Sequence, residues 1–204
     1  MAKPTPTQEE LDDILLSARF GEVDEIKAFG EQYGWDALAG ARDERGNSTL
    51  HMACGNGHLD VLQVLLEHLP AAALQATNEA GSPPIHWAVL NNHVACVSAL
   101  VDVPEARGGG IQLLHQKNAA DRDAFAEAIF AGEGKEEVAG WIEGFLWKAE
   151  GGDDNPNIKV TETEDGEVKM TVGEAEGSDD KPIDSVKDIT AKAENLEVAD
   201  KQEA

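Results

Sequence analysis

Six side chains of this 204-residue sequence have the type and spacing of metal ligands: His51, Cys54 and His58, echoed by His86, His93 and Cys96. Zinc takes imidazole nitrogens and thiolates at such short intervals, so each trio could form most of a tetrahedral site. The spacing argues otherwise. The cysteines are not equivalent, since Cys54 falls in the first helical stretch of its segment and Cys96 in the second. The histidines are equivalent, because the same 35 residues separate His51 from His86 and His58 from His93. Imidazoles that recur with the chain at helix starts read as structural groups bonding backbone at the turns. No metal and no cofactor is therefore expected. Catalysis has no better support. No Gly-x-Ser-x-Gly elbow, phosphate loop or dinucleotide fingerprint occurs, and Gly108 to Gly110 lack the Lys and Ser/Thr of a nucleotide loop. Acid pairs such as Asp12-Asp13 and Glu136-Glu137 are expected by composition in a chain with 40 acidic and 16 basic residues. The chain is read as a binder and not an enzyme.

The elements that carry these histidines repeat. GNSTLHMACGNGH, from Gly46 to His58, overlies GSPPIHWAVLNNH, from Gly81 to His93, with Leu50 on Ile85, Ala53 on Ala88 and Asn56 on Asn91. Both the period and the Leu/Ile-His-x-Ala core resemble the ankyrin repeat, a turn-helix-helix unit of about 33 residues with a Thr-Pro-Leu-His-x-Ala signature. The resemblance implies an all-α solenoid of about four helix-turn-helix units, two clear repeats between two degenerate caps.

The pattern places these units along the chain. Residues 1–8 are a lead, 9–150 the repeat domain and 151–204 an acidic tail. Leu11, Ile14, Leu15 and Ala18 share one helical face and Val23, Ile26 and Phe29 another, with Gly21 between, which makes an N-terminal cap. The second unit runs from about Asp43 to Thr77, with helices near Thr49 to Asn56 and Leu59 to His68, and Pro70 closing it. The third places helices near Pro84 to Asn91 and Val94 to Val101; Pro84 suits a first helical position because its N–H is not needed there. Gly108 to Gly110 read as a flexible connector. The fourth unit puts Phe125, Ala128 and Ile129 on one apolar face and Val138, Ile142, Phe145 and Leu146 on the other, with Asp121 in the turn-glycine place and Ala126 in the histidine place. In the tail, alternation around Asp165-Gly166 signals a hairpin, and Ile183, Val186 and Ile189 have helix-like spacing. The default for the tail is disorder.

Charge narrows the partner. The net charge is −24, and residues 151–204 hold 16 acids against 6 Lys and no Arg. Nucleic acid and anionic membrane need clustered cations, so both are disfavoured, and a basic protein is the natural counterpart. Cys54 and Cys96 imply no disulfide framework. The absence of an apolar leader or a span-length apolar run leads to an expectation of a soluble protein of cytoplasm and nucleus, with no small-molecule substrate.

In stacked repeats the turns and the exposed face of each first helix form a continuous concave strip. By register this strip takes Asp43, Glu44, Arg45 and Asn47 from one turn and Glu79 and Ser82 from the next. The first helices add Met52, Gly55 and Asn56, then Trp87, Leu90 and Asn91, and the last unit adds Glu127 and Phe130. Trp87 is either an interface anchor or a packing residue between neighbouring first helices.

Several stretches are similar to a narrower family: DDILLSARFGEVDEIKAF, STLHMACGNGHLDV, IHWAVLNNHVACV, GKEEV at Gly134 to Val138, and the acidic tail with its dispersed Lys. Together they resemble the fungal ankyrin-repeat chaperones dedicated to newly made small-subunit ribosomal protein S-three. That resemblance implies capture of a basic ribosomal protein, protection during nuclear import and delivery to the forming small subunit; repeat geometry and charge add the expectation that an acidic concave strip shields the basic surface. Without it, the residues support a general adaptor or inhibitor of some other basic protein.

Overall fold

The computed structural model describes residues 3–149, 151, 158–162 and 168–172. The chain divides into two units, Met1–Asp153 and Asp154–Ala204. The first unit is helical, and its helices begin where the sequence supplies caps. Thr7 starts α1 (Gln8–Phe20): its hydroxyl accepts from the Glu10 N–H, and the Glu10 carboxylate accepts from the Thr7 N–H at 2.7 Å. The lead before it is tied down, with Lys3 Nζ donating to the Gly30 carbonyl at 3.0 Å. α2 (Val23–Tyr33) follows the left-handed Gly21.

The same turn-helix-helix plan then recurs as α4 (Thr49–Asn56) and α5 (Leu59–His68), and as α7 (Pro84–Leu90) and α8 (Val94–Val101). It recurs once more as α10 (Ala124–Ala131) and α11 (Glu136–Ala149). First helices α1, α4, α7 and α10 pack in series, and second helices α2, α5, α8 and α11 form a layer behind them. Leu50, Ala53, Leu62, Leu65, Ile85, Ala88, Val97 and Leu100 fill the space between the layers, all fully buried. Burial of the leucine, isoleucine and valine side chains contributes about 1.5–3 kcal/mol apiece relative to exposure, so the stack is held by its apolar faces.

Two turn positions require left-handed backbone, each in three of the four units. The turn-glycine place is held by Gly46, Gly81 and Asp121, with φ of 77°, 68° and 60°, which fits the assignment of Asp121 to that slot. The place between paired helices is held by Gly21, Gly57 and Asn92, with φ of 80°, 76° and 59°. Asparagine and aspartate are the side chains that best tolerate that conformation, so the degenerate positions keep the geometry that the glycines mark.

Three short helices lie outside the sequence reading: α3 (Trp35–Gly40), α6 (Ala71–Leu74) and α9 (Gln112–His115), with a 3-10 turn at Glu105–Arg107. Each short helix buries leucine under the second-helix layer: Leu38, Leu74, and Leu113 with Leu114. Four to six residues are too few to display a period, so the pattern was silent there.

The flexible connector expected at Gly108 to Gly110 is instead a packed elbow. A Cβ on Gly108 would stand 2.5 Å from the Ala71 carbonyl oxygen, and one on Gly109 2.2 Å from that of Val103. The Gly110 N–H donates to Val101 at 3.1 Å, and Gln75 and Gln112 side chains bond the carbonyls of Gly108 and Gly109. These glycines are there for close approach.

In the second unit, β1 (Ile158–Glu162) and β2 (Val168–Val172) pair antiparallel, from Ile158 on Val172 to Glu162 on Val168. This register is symmetric about Asp165, where the hairpin was expected. Asp165-Gly166 itself and the Ile183, Val186 and Ile189 pattern lie outside the described residues.

Candidate partner-binding surface

Asp43, Asn78 and Asn118 build three copies of one turn. Asp43 Oδ1 accepts from the N–H groups of Arg45 and Asn47, at 2.9 and 2.8 Å. Asn78 Oδ1 accepts from Ala80 and Ser82, and Asn118 Oδ1 from Ala120 and Arg122. Adjacent turns are tied to each other: the Glu79 N–H donates to the Arg45 carbonyl at 3.0 Å, that of Ala119 to Ala80 at 3.1 Å, and Asn78 Nδ2 to Asn47 Oδ1 at 2.8 Å. The turns therefore present a rigid edge.

Four histidines of the two central repeats, His51, His58, His86 and His93, bond backbone across a repeat boundary, and they do so in both directions. His51 Nε2 donates to Ser82 O at 2.9 Å and His86 Nε2 to Gln116 O at 2.9 Å, each reaching the following turn. His58 Nε2 donates to Arg19 O at 2.8 Å, and His93 bonds the Gly55 carbonyl, each reaching the preceding first helix. The imidazoles are thus stitches between repeats, which accounts for their spacing without a metal.

His51 also takes the acid's part in a capping box. Its Nδ1 accepts from the Ser48 N–H at 3.1 Å, which fixes the neutral ring with its proton on Nε2. Burial, opposed by the bond to Ser82, pushes its pKa down to about 4. In the next repeat Pro83 stands where Ser48 stood and has no N–H to give. His86 Nδ1 is consequently buried without a partner. Cys54 and Cys96 are buried thiols whose pKa is raised by desolvation, to about 11 for Cys96, so neither is poised as a nucleophile or ligand.

The strip residues other than Glu44 and Phe130 gather into two adjoining hollows. One is lined by Asp43, Arg45, Asn47, Met52, Gly55, Asn56, Trp87 and Asn91, together with Arg19. The other is lined by Arg45, Asn47, Glu79, Ser82, Trp87, Leu90 and Glu127, with Arg122. Arg45, Asn47 and Trp87 are common to both. The Trp87 ring is half-buried, meets the edge of His51 at 5.7 Å and lies where a Cβ on Gly55 would be only 2.7 Å away. Trp87 packs between first helices and also faces the hollows, so the two readings of this residue describe its two sides.

Not every strip residue is available. Asn47 and Ser82 are buried in their turns, and Asp43 is half-buried, its carboxylate committed to Asn47 and Arg45. Burial raises the Asp43 pKa, and the bonds from Asn47 and Arg45 outweigh it and lower the group overall. Glu127, in the slot of Met52 and Trp87, is 6% exposed and pairs with Arg122 Nε at 2.5 Å and Asn118 Nδ2 at 3.0 Å. Its role is to hold the last turn. Phe130 is exposed, with the Arg122 guanidinium 4.0 Å over its ring. Ile129, which shares the expected apolar face with Phe125 and Ala128, is 54% exposed because no later repeat among the described residues covers the place that Cys54 and Val89 fill in the interior.

The expected acidity of the strip needs correcting as well. With Asp43 and Glu127 engaged internally, the hollows are lined by Arg19, Arg45 and Arg122 as well as by Glu79, so the centre is mixed in sign, and Glu44 and Glu79 are exposed. Register carried one unit upstream also adds two residues that the sequence reading omitted. Leu16 stands in the slot of Met52 and Trp87, and Phe20 in that of Asn56 and Asn91, both exposed. The 36-residue step from Gly21 to Gly57 was the available signal.

This two-layer stack, with its turn ladder and boundary-crossing histidines, defines an ankyrin array. A model for ankyrin repeats, in three copies, matches residues 14–132, and the chain belongs to the ankyrin-repeat family. Within it, the chain is 36% identical over 67 residues to the ankyrin repeat-containing protein YAR1 of Saccharomyces cerevisiae, covering 32% of this chain and 34% of that protein. It is also 36% identical over 91 residues to human ankyrin repeat domain-containing protein 63, covering 45% of this chain and spanning 21% of the relative's length. Among solved structures it resembles a chain in the crystal structure of the complex between the yeast ribosomal protein Rps3 and its chaperone Yar1. That match has a TM-score of 0.60 and 27% identity, covering 69% of this chain and 95% of the other.

Proposed function

We propose that this chain binds a basic small-subunit ribosomal protein of the S3 type, keeps it soluble and escorts it between cytoplasm and nucleus for subunit assembly. The observation that carries this reading is the similarity to the chain in the Rps3–Yar1 complex over 95% of that chain, joined to the sequence similarity to YAR1. The geometry supports a binder and not a catalyst: the imidazoles are spent on repeat stitching, the thiols are buried, and what remains exposed is a shaped strip around Trp87. A net charge of −24 favours a cationic partner.

Purified chain mixed with S3 at about 50 mM and about 300 mM salt tests this, since screening lengths shrink across that range. Co-elution and clarified S3 at low salt, weakening at the higher salt, are expected. Precipitation of S3 in both, with no co-eluting peak, refutes the proposal.

A further inference from the structure

The N-terminal end of the stack carries a feature that the central strip lacks. Asp13, Leu16, Ser17 and Phe20 follow the i, i+3, i+4, i+7 stripe of α1 and line a hollow closed by the start of α2 and by Asp60 of α5. Leu16 and Phe20 are 48% and 66% exposed, two of the five large apolar side chains left in solvent among the described residues. Both lie in this hollow. Its charged lining is Asp13, Glu22, Asp24, Glu25 and Asp60, with no Lys or Arg. None of these carboxylates is in an ion pair among the described residues, where the pairs are Lys117 with Asp121 and Arg122 with Glu127.

Paired acids and apolar anchors on one rigid helix are a complementary pattern for a specific occupant. From these residues we infer that the Leu16–Phe20 surface is a second docking site, taking a segment of the basic partner in which Lys or Arg flank a bulky apolar residue. The apolar residue lies against Leu16 and Phe20, and the cations meet the ring of carboxylates. A second copy of this chain is disfavoured as occupant by its own net charge of −24. The site continues the strip of Met52 and Trp87 by register, and to that extent it rests on the reading of the concave face as the binding face. It adds a division of labour, with the mixed-sign centre gripping shape and the N-terminal end reading charge and apolar content together.

The test uses the full chain and short labelled peptides, followed by fluorescence anisotropy: one with Lys and Arg around a single Leu, one with that Leu replaced by Gly, and one with Glu in place of the cations. The Leu peptide is expected to bind best, the Gly peptide about tenfold more weakly and the Glu peptide not measurably. Phe20→Ser, a change at an exposed position, and Glu22→Gln with Glu25→Gln are each expected to weaken the Leu peptide about tenfold. Glu44→Lys with Glu79→Lys leaves it within about twofold, because those charges sit in the turns before α4 and α7 and line no part of this hollow. Equal binding of the Leu and Gly peptides, or no effect of Phe20→Ser, overturns the proposal and leaves only unspecific acidity. Because S3 is absent from this assay, its failure leaves the S3 reading standing, and failure of S3 to co-elute leaves this site standing.

Discussion

Lowering the pH from about 7 towards 4 destabilises the folded chain, and His51 supplies the largest single part of that loss. The folded state holds this ring neutral, with its pKa pushed down from 6.5 to about 4 chiefly by burial, with the Arg42 charge adding to it and the Ser82 bond and Asp43 opposing. Protonation would set a new N–H at Nδ1 against the Ser48 N–H that it now accepts. Between those two pH values the unfolded chain binds the extra proton and the folded chain does not, so stability rises with pH. The stabilisation is complete above about pH 6.5 and is lost progressively as pH falls to about 4, by roughly 3 kcal/mol for this residue. His86 and His93 are shifted in the same direction by burial. Asp43 and Glu127, whose folded pKa values are lowered, add their own losses at the acid end as their carboxylates protonate. Relief of repulsion among surface acids acts the other way but is spread over the surface and screened by salt. Urea unfolding at several pH values checks this. The His51→Ala variant is expected to be about 2–3 kcal/mol less stable at neutral pH, because Ser48 and Ser82 lose their partner. Its stability should also fall less steeply below pH 6.5. Parallel pH curves for variant and parent contradict the assignment.

Trp87→Ala is the second large effect, and it is expected in two readouts at once. Removing a fully buried tryptophan costs about 3–5 kcal/mol, and this half-buried ring, packed on Gly55 and His51, should cost about 2–3. The same ring is shared by both hollows at the centre of the strip. An aromatic at the centre of an interface commonly contributes about 2 kcal/mol or more, so affinity for S3 should fall by about thirtyfold. Measurement at a temperature where the variant is fully folded separates the two effects. A drop in melting temperature with unchanged affinity makes Trp87 a packing residue alone. Gly55→Ala provides a counterpart, since its added methyl displaces the ring from the other side.

The repeat was legible because its determinants are local. A left-handed turn residue, a capping position and an apolar period of 3.6 each write a recognisable residue type, so Asp121 could be placed in a glycine slot from register alone. What escaped were features set by distant contacts. Gly108 to Gly110 looked like a loose connector because nothing in the sequence says that Ala71 and Val103 approach them. The availability of a carboxylate escaped for the same reason. Asp43 and Glu127 look like Glu44 and Glu79 in sequence, yet hydrogen bonds to Asn47, Asn118 and Arg122 remove them from the surface. Exposure at a stack end depends on which side lacks a neighbour, which no local pattern records, and so the exposure of Ile129, Leu16 and Phe20 is not legible in the sequence.

The central claim is that the edge of turns and first helices around Trp87 grips a cationic ribosomal protein. Its most direct test is the dissociation constant for S3 of the full chain against Glu44→Lys with Glu79→Lys, two exposed carboxylates on adjacent turns that bear on the rigidity of neither. The account predicts an affinity loss of about tenfold, larger at low salt than at high, with the melting temperature unchanged. Identical affinity for both proteins at low salt would place the partner on another face and contradict it.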